Sequence, residues 1–305
     1  MLTLPIFRQA QIEQMQTIQS LTTISASDLC REVIRRLDNL GEKFNKLRRP
    51  AEEVVVMRAA VMLQKDLSTQ DPSESEDSLA RLMSELSVAL YATGRVTESC
   101  AVDEEIITIL RRLYENDPAM HGEKLAIVLH HYALALPVAK RKEEAFAAHE
   151  LCVKIRRELY SLNPKDHVRD LVLSLNSWGS HLVSRHRYPE ARDVLDEGVS
   201  ICREWFKIDE THGPGLAGLL RMYAVVLHSL GLIEQACEVG GECIALYKQF
   251  YGQDPAKYRD SLELAMKGQW IHLHAIGRIE EADAIREERG SLMLSRGSIS
   301  DSEGE

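Results

Sequence analysis

The chain has 305 residues and a net charge of −10, from 47 acidic and 37 basic side chains, which disfavours a duplex nucleic-acid surface because that needs a basic field. Apolar residues make up 45% and charged residues 28%, a composition that suits an all-helical soluble protein. No apolar run approaches the roughly 18 residues of a membrane span, and the opening Met1-Leu2-Thr3-Leu4-Pro5-Ile6-Phe7-Arg8 lacks the basic-then-apolar order of a signal peptide.

Residues 1–28 contain Ile12, Met15 and Ile18 on one side of a short predicted helix, followed by a Ser/Thr cluster over 22–27. This stretch reads as an N-terminal capping helix or arm, with Ser27 or Asp28 as the N-cap of the next helix. From there a repeat takes over. Gly94-Arg95 precedes Glu98-Ser99, and Arg141-Lys142 precedes Glu144-Ala145. The same grammar returns at Arg187 with Glu190-Ala191, Gly231 with Gln235-Ala236, and Gly277-Arg278 with Glu281-Ala282. Ser99, Ala145, Ala191, Ala236 and Ala282 are separated by 46, 46, 45 and 46 residues, and Glu53 marks a degenerate first copy. Such a period predicts helix hairpins stacked over 29–290.

Twelve residues before each register position stand Gly41, Ser87, Ala133, Gly179, Ala224 and Trp270. Five small residues in series predict a close helix crossing, and Trp270 is expected to plug the final copy. Asp71-Pro72, Asp117-Pro118, Asn163-Pro164 and Asp254-Pro255 predict helix ends, since proline disfavours the helical conformation at the residue before it. Gly213-Pro214-Gly215 fills the corresponding place in the fifth copy, and residues 73–77 read as an acidic, mobile loop. Residues 291–305 read as an acidic, serine-rich disordered tail. Cys100 and Cys237 share one repeat position, and Cys152 and Cys243 share another. Together with Cys30 and Cys202 they include no CxxC, so they are read as packing residues in a reduced, cytoplasmic setting.

Trp178-Gly179 with Leu182, Leu40-Gly41 with Phe44, and the register alanines resemble tetratricopeptide repeats, with a second helix longer than in the standard unit. The pattern is similar to the repeats of kinesin light chains and related fungal and bacterial proteins. The resemblance implies an all-α, right-handed α-solenoid of about six helix-turn-helix repeats with a period of about 46 residues. It implies a non-catalytic scaffold or adaptor that binds a peptide or protein segment along a concave groove lined by the first helices. Alternatives are a peptide-responsive regulator, or a repeat region related to larger signalling proteins.

Carried through the register, the groove positions are Asp38, Ser84, His130, Asn176, Arg221 and Lys267, and then Asn45, Tyr91, Pro137, Val183, His228 and His274. The full carboxylate clamp of chaperone-binding repeats is not reproduced. Asn176, Arg221, Lys267, His228 and His274, with His130, are the expected partner-binding residues, and their donors and positive charge suit an acidic segment or a chain-terminal carboxylate. Asp38 and Glu42 make the N-terminal end acidic. Tyr132, Trp178 and Tyr223 share one repeat position and read as core. The arginines at Arg111-Arg112, Arg156-Arg157 and Arg203 read as outer-face charges paired with glutamates. The histidines lack zinc-helix spacing, and GxSxG, P-loop and GxGxxG motifs are missing, so no metal, cofactor or catalytic residue is expected.

Overall fold

A computed structural model describes residues 25–70 and 72–294, and among them are twelve α-helices, one short 3-10 turn and no strand. The helices are α1 (Ala26–Lys46), α2 (Pro50–Gln70), α3 (Pro72–Ala92), α4 (Val96–Asn116), α5 (Pro118–Val138) and α6 (Lys142–Leu162). They continue as α7 (Pro164–Ser184), α8 (Tyr188–Ile208), α9 (Gly213–Ser229), α10 (Ile233–Gln253), α11 (Pro255–Ala275) and α12 (Ile279–Leu294). Of the expected N-terminal segment residues 1–24, and of the expected tail residues 295–305, lie outside the described residues; residues 291–294, read as tail, instead complete α12. The chain forms two compact units, one ending at Lys142 and the other beginning at Glu143. Within each, helices that follow one another in sequence pack side by side as antiparallel hairpins. The first helices are as long as the second, 21 residues in most copies, so the extra length of the repeat is shared by both arms.

Each hairpin turns through a single residue with positive φ, five before the register position: Arg48, Gly94, Lys140, His186, Gly231 and Gly277. The amide one residue further on returns to a carbonyl of the preceding helix. Arg95 N donates to Leu90 O at 2.9 Å, Arg187 N to Leu182 O at 2.9 Å, and Arg278 N to Leu273 O at 3.0 Å. This is the 6→1 bond of a Schellman ending, which occupies carbonyls that the helix itself leaves open. Arg95, Arg187 and Arg278 then fold their guanidinium groups onto Glu98, Glu190 and Glu281 in the next helix's first turn. The Gly-Arg…Glu grammar is therefore a turn followed by an ion pair at a helix start.

The small series has the expected use. A Cβ on Gly41 would lie 2.5 Å from Met57 Sδ, and one on Gly179 would lie 2.5 Å from Leu195 Cδ2. Met57 and Leu195 are fully buried and stand four residues after the register position in their copies. Each drops into the notch left by the missing side chain, and the register alanines themselves are buried. In the last hairpin Trp270 packs against Cys237, Leu273 and Ala282.

Three local expectations are corrected, and the Asp-Pro helix ends gain a second role. Ser25, rather than Ser27 or Asp28, caps α1, its hydroxyl accepting from Asp28 N at 3.1 Å. Asp28 falls at the third helical position, where its charge suits the helix dipole. Residues 73–77 are the first turns of α3 rather than a loop, because Pro72 is preset for a first-turn position and carboxylates are favoured there. Gly213-Pro214-Gly215 likewise opens α9, behind the 3-10 turn Glu210–His212. Asp117 and Asp254 end one helix and cap the next, accepting from Met120 N at 3.0 Å and Lys257 N at 3.1 Å.

The turn residues supply a clean comparison. Nothing lies within 4 Å of a Cβ placed on Gly94, so Gly94→Ala is expected to cost about 1–2 kcal/mol through backbone conformation alone. Lys140→Gly relieves the same strain and is expected to stabilise by up to about 1 kcal/mol, reduced by the entropy of glycine in the unfolded chain. Urea unfolding of the two variants beside the wild type checks both signs.

Candidate functional site

Several charges on the second helices are paired from one hairpin to the next. Arg58 meets Glu98 at 3.0 Å, Lys65 meets Glu105 at 2.5 Å, and Arg157 meets Glu197 at 2.8 Å. Arg203 bonds Glu242 at 3.0 Å and Lys248 bonds Glu288 at 2.9 Å. Each pair joins the second helix of one hairpin to that of the next, its partners 39 or 40 residues apart in sequence. Arg156 departs from the outer-face reading. Its side chain is only 4% exposed and bonds Asp170 at 3.0 Å. Tyr132 and Tyr223, at the position read as core, also join hairpins, donating to Glu104 at 2.9 Å and Asp196 at 3.0 Å.

The hollows lie elsewhere, along the first helices. In the second unit a hollow of about 190 Å³ is lined by Arg221 on α9, Lys267 on α11, and His272. His228 reaches His272, Nδ1 to Nδ1 at 3.0 Å, so the two rings share a hydrogen. Burial, and then the nearness of His228, pushes His272 down to about 4. Gln269, also in the lining, donates to Cys237 O at 3.0 Å and fills the space over Gly240. Of the expected groove residues, Arg221 and Lys267 are thus brought together and His228 lies one hydrogen bond away. His274 stacks on Trp270 at 5.5 Å between ring centroids. Asn176, on α7, has its Oδ1 buried without a hydrogen-bond partner, and His130 belongs to the first unit, beside His131.

The first unit has two adjoining hollows that sequence reasoning did not single out. One, of about 260 Å³, is lined by Ser87, Val88 and Tyr91 on α3, Asp103 on α4, and His131 and Leu134 on α5. The other, of about 350 Å³, shares Ser87, Val88, Asp103 and His131 and extends to Glu42, Asn45, Lys46, Glu53 and Glu85. Asp103 is only 3% exposed and stands where other copies bury Met57 and Leu195. Opposite it Ser87, rather than a glycine, is bonded to Ser99, Oγ to Oγ at 2.9 Å. Burial pushes the Asp103 carboxyl up to about 7, with Glu104 adding to the rise and a Ser87 hydrogen bond opposing it. Glu85 is raised as well, chiefly by burial. The detectable signal was weak: a carboxylate at a position that two other copies fill with Met57 and Leu195 and the remaining three with His149, Gly240 and Arg286.

Among the described residues no group of three or more His, Cys, Asp or Glu side chains could hold a metal ion, and no helix is long and apolar enough to cross a membrane. The six cysteines are free, and all but Cys30 are buried. Burial raises the thiol of Cys202 to about 11 and that of Cys243 to about 12, which keeps both protonated.

Residues 79–119, spanning α3 and α4, match the family model of the tetratricopeptide repeat. That stretch carries a tetratricopeptide repeat. Among solved structures it is similar to the BtubC (BKLC) protein of P. vanneervenii, at 14% identity and a TM-score of 0.63 over 81% of this chain and 92% of that one. It is also similar to kinesin-light-chain-type repeats from Podospora anserina, at 18% identity and a TM-score of 0.54 over 71% and 95%. A third likeness is to a STAND protein with a tetratricopeptide repeat sensor from Pyrococcus horikoshii. There the identity is 10% and the TM-score 0.66, over 92% of this chain and 39% of that one. No curated protein matches the chain. Tetratricopeptide repeats generally mediate protein–protein interaction.

The shift at Asp103 has a thermodynamic consequence. The folded state binds the proton more tightly than the unfolded chain, so the group's contribution to stability is lost as pH rises from about 4 to about 7. Facing it are His131 from α5, Ser87 and Glu85 from α3, Glu53 from α2, and Glu104 on its own helix. Asp103→Asn removes that titration. The variant is expected to exceed the wild type by about 4 kcal/mol at pH 8, with the gap closing towards pH 4. Urea unfolding at pH 5 and pH 8 measures it; a gap that does not change with pH contradicts the assignment.

Proposed function

We propose that the chain is a non-catalytic scaffold that holds an extended segment of a partner protein along its first helices. On this reading the hollow of the second unit receives a carboxylate from that segment, either an acidic side chain or a chain terminus. The observation that carries the reading is the convergence of Arg221 and Lys267, from successive first helices, on one hollow. Arg221 brings a planar donor fork and Lys267 an exposed ammonium group, a combination that fits a carboxylate from two sides. The second-helix charges are poor competitors for this role, because their partners already lie on the neighbouring hairpin. Asn176, His130 and His274 stand at groove positions of their own first helices and would contact the segment outside this hollow.

The test uses an eight-residue peptide library ending in a free-carboxylate glutamate, beside the same library ending in an amidated glutamine. The wild type is expected to prefer the first at least tenfold, and Arg221→Glu with Lys267→Glu to remove the preference, a loss of about 1.4 kcal/mol or more. Equal binding of the two libraries by the wild type, or an unchanged preference in the variant, sinks the carboxylate reading.

A further inference from the structure

Two departures from the repeat meet in the first unit. At the register position, where the other copies carry Ser99 or an alanine, the first copy carries Glu53, 95% buried and accepting from Asn45 Nδ2 at 2.9 Å. Four residues past the register position, where Met57 and Leu195 are buried, the second copy carries Asp103. Both carboxylates line the same hollow, together with Glu85 and Glu42. The cation in that lining is Lys46, 3.4 Å from Glu42. Arg81 engages Asp38 at 2.7 Å and Glu85 at 2.6 Å from the neighbouring face of α3. Among the described residues no cation pairs with Asp103. A carboxyl group buried without a counter-charge weakens a fold unless something else meets it.

The walls are apolar. Val88, Tyr91 and Leu134 are each between 44% and 45% exposed and surround the mouth of the Asp103 hollow, and Ile127 is 39% exposed in the adjoining one. Volumes of about 260 and 350 Å³ are at the low end for small-molecule pockets and suit a single long side chain.

We propose that this double hollow receives the guanidinium group of an arginine from an extended peptide, its head between Asp103 and Glu53 and its stem along Val88, Tyr91 and Leu134. Arginine fits better than lysine. Its planar fork can bond two carboxylates at once, and its weaker hydration makes entry into an apolar mouth less costly. Its alkyl stem covers the apolar wall while its head remains paired. A bound guanidinium would hold Asp103 ionised, so binding releases a proton wherever the free protein keeps that group protonated. The apparent affinity then rises about tenfold from pH 6 to pH 8. This site is independent of the carboxylate-binding hollow in the second unit.

The test is fluorescence anisotropy with a fluorescein-labelled eight-residue library. Its central residue is arginine, its flanking positions are mixtures of Ala, Leu, Ser and Tyr, and its termini are blocked. The control library carries citrulline, the neutral isostere, at the centre. Expected are at least a tenfold preference for arginine at pH 8, and loss of that preference in Asp103→Asn and in Glu53→Gln, each shown to be folded by its urea transition. The pH dependence should flatten in Asp103→Asn, where His131 remains. The preference should survive in Arg221→Glu with Lys267→Glu, which separates this site from the other. Equal binding of the two libraries, no binding of either, or a preference that persists in Asp103→Asn overturns the proposal. Loss of the preference only in the Arg221 and Lys267 variant overturns it too, by placing the arginine elsewhere.

Discussion

Every hairpin in this chain depends on one backbone event, a single residue in the left-handed region between two long helices. That residue reverses the chain direction in the shortest span and lets the following amide return to an open carbonyl of the helix just ended. Once the turn is fixed, the phase of the second helix against the first is fixed with it. Positions twelve before and four after the register residue then face each other across the pair. Gly179 and Leu195 form one such meeting, and Gly41 and Met57 another. Three of the six turns use a non-glycine residue at positive φ. Each carries a small strain that the packed hairpin must hold in place.

Because the phase is fixed, a substitution in one copy has a defined structural address. This is what gives Asp103 its meaning. In a chain without repeats, a buried aspartate says only that something nearby tolerates it. Here two other copies bury Met57 and Leu195 at the same position, while the remaining three carry His149, Gly240 and Arg286. Ser87 replaces the opposing glycine, so the pair has changed from a knob in a notch to two polar groups beside a hollow. Proteins commonly sacrifice stability at positions they use, and a carboxyl raised to about 7 by burial is such a sacrifice.

The fold was legible in the sequence because its determinants are local and repeated. Gly94-Arg95, Gly231 and Gly277 announced the turns, the small series announced the crossings, and the Asp-Pro pairs announced the helix boundaries. What was misread was local in another way. Residues 73–77 and 213–215 have loop-like composition, yet proline and acidic residues also suit the first turn of a helix, and composition alone does not separate the two. The candidate site was legible in part. Arg221 and Lys267 share a register position on successive first helices, so periodicity could pair them, whereas the enclosure of Asp103 depends on three helices meeting around it. The sequence analysis did not single out Asp103; its burial and the hollow beside it became visible only in the folded chain.

The placement of charge follows from the same geometry. Second helices of neighbouring hairpins lie at a spacing that lets an arginine or lysine reach a glutamate some 40 residues on, and five such pairs form. Such exposed pairs contribute little to stability individually. Their effect is to leave few unpaired groups on that side. Along the first helices some charges pair directly as well, Arg81 with Asp38 and Lys124 with Asp77, while the linings of the hollows differ by unit: largely acidic around Asp103, basic around Arg221 and Lys267. A net charge of −10 would by itself suggest a uniformly acidic protein. Ion pairing between second helices leaves that net charge unchanged, since each pair takes up one charge of either sign, but it occupies those groups locally. The two hollows differ in sign all the same, and this local difference, rather than the overall charge, is what the proposed peptide contacts rest on.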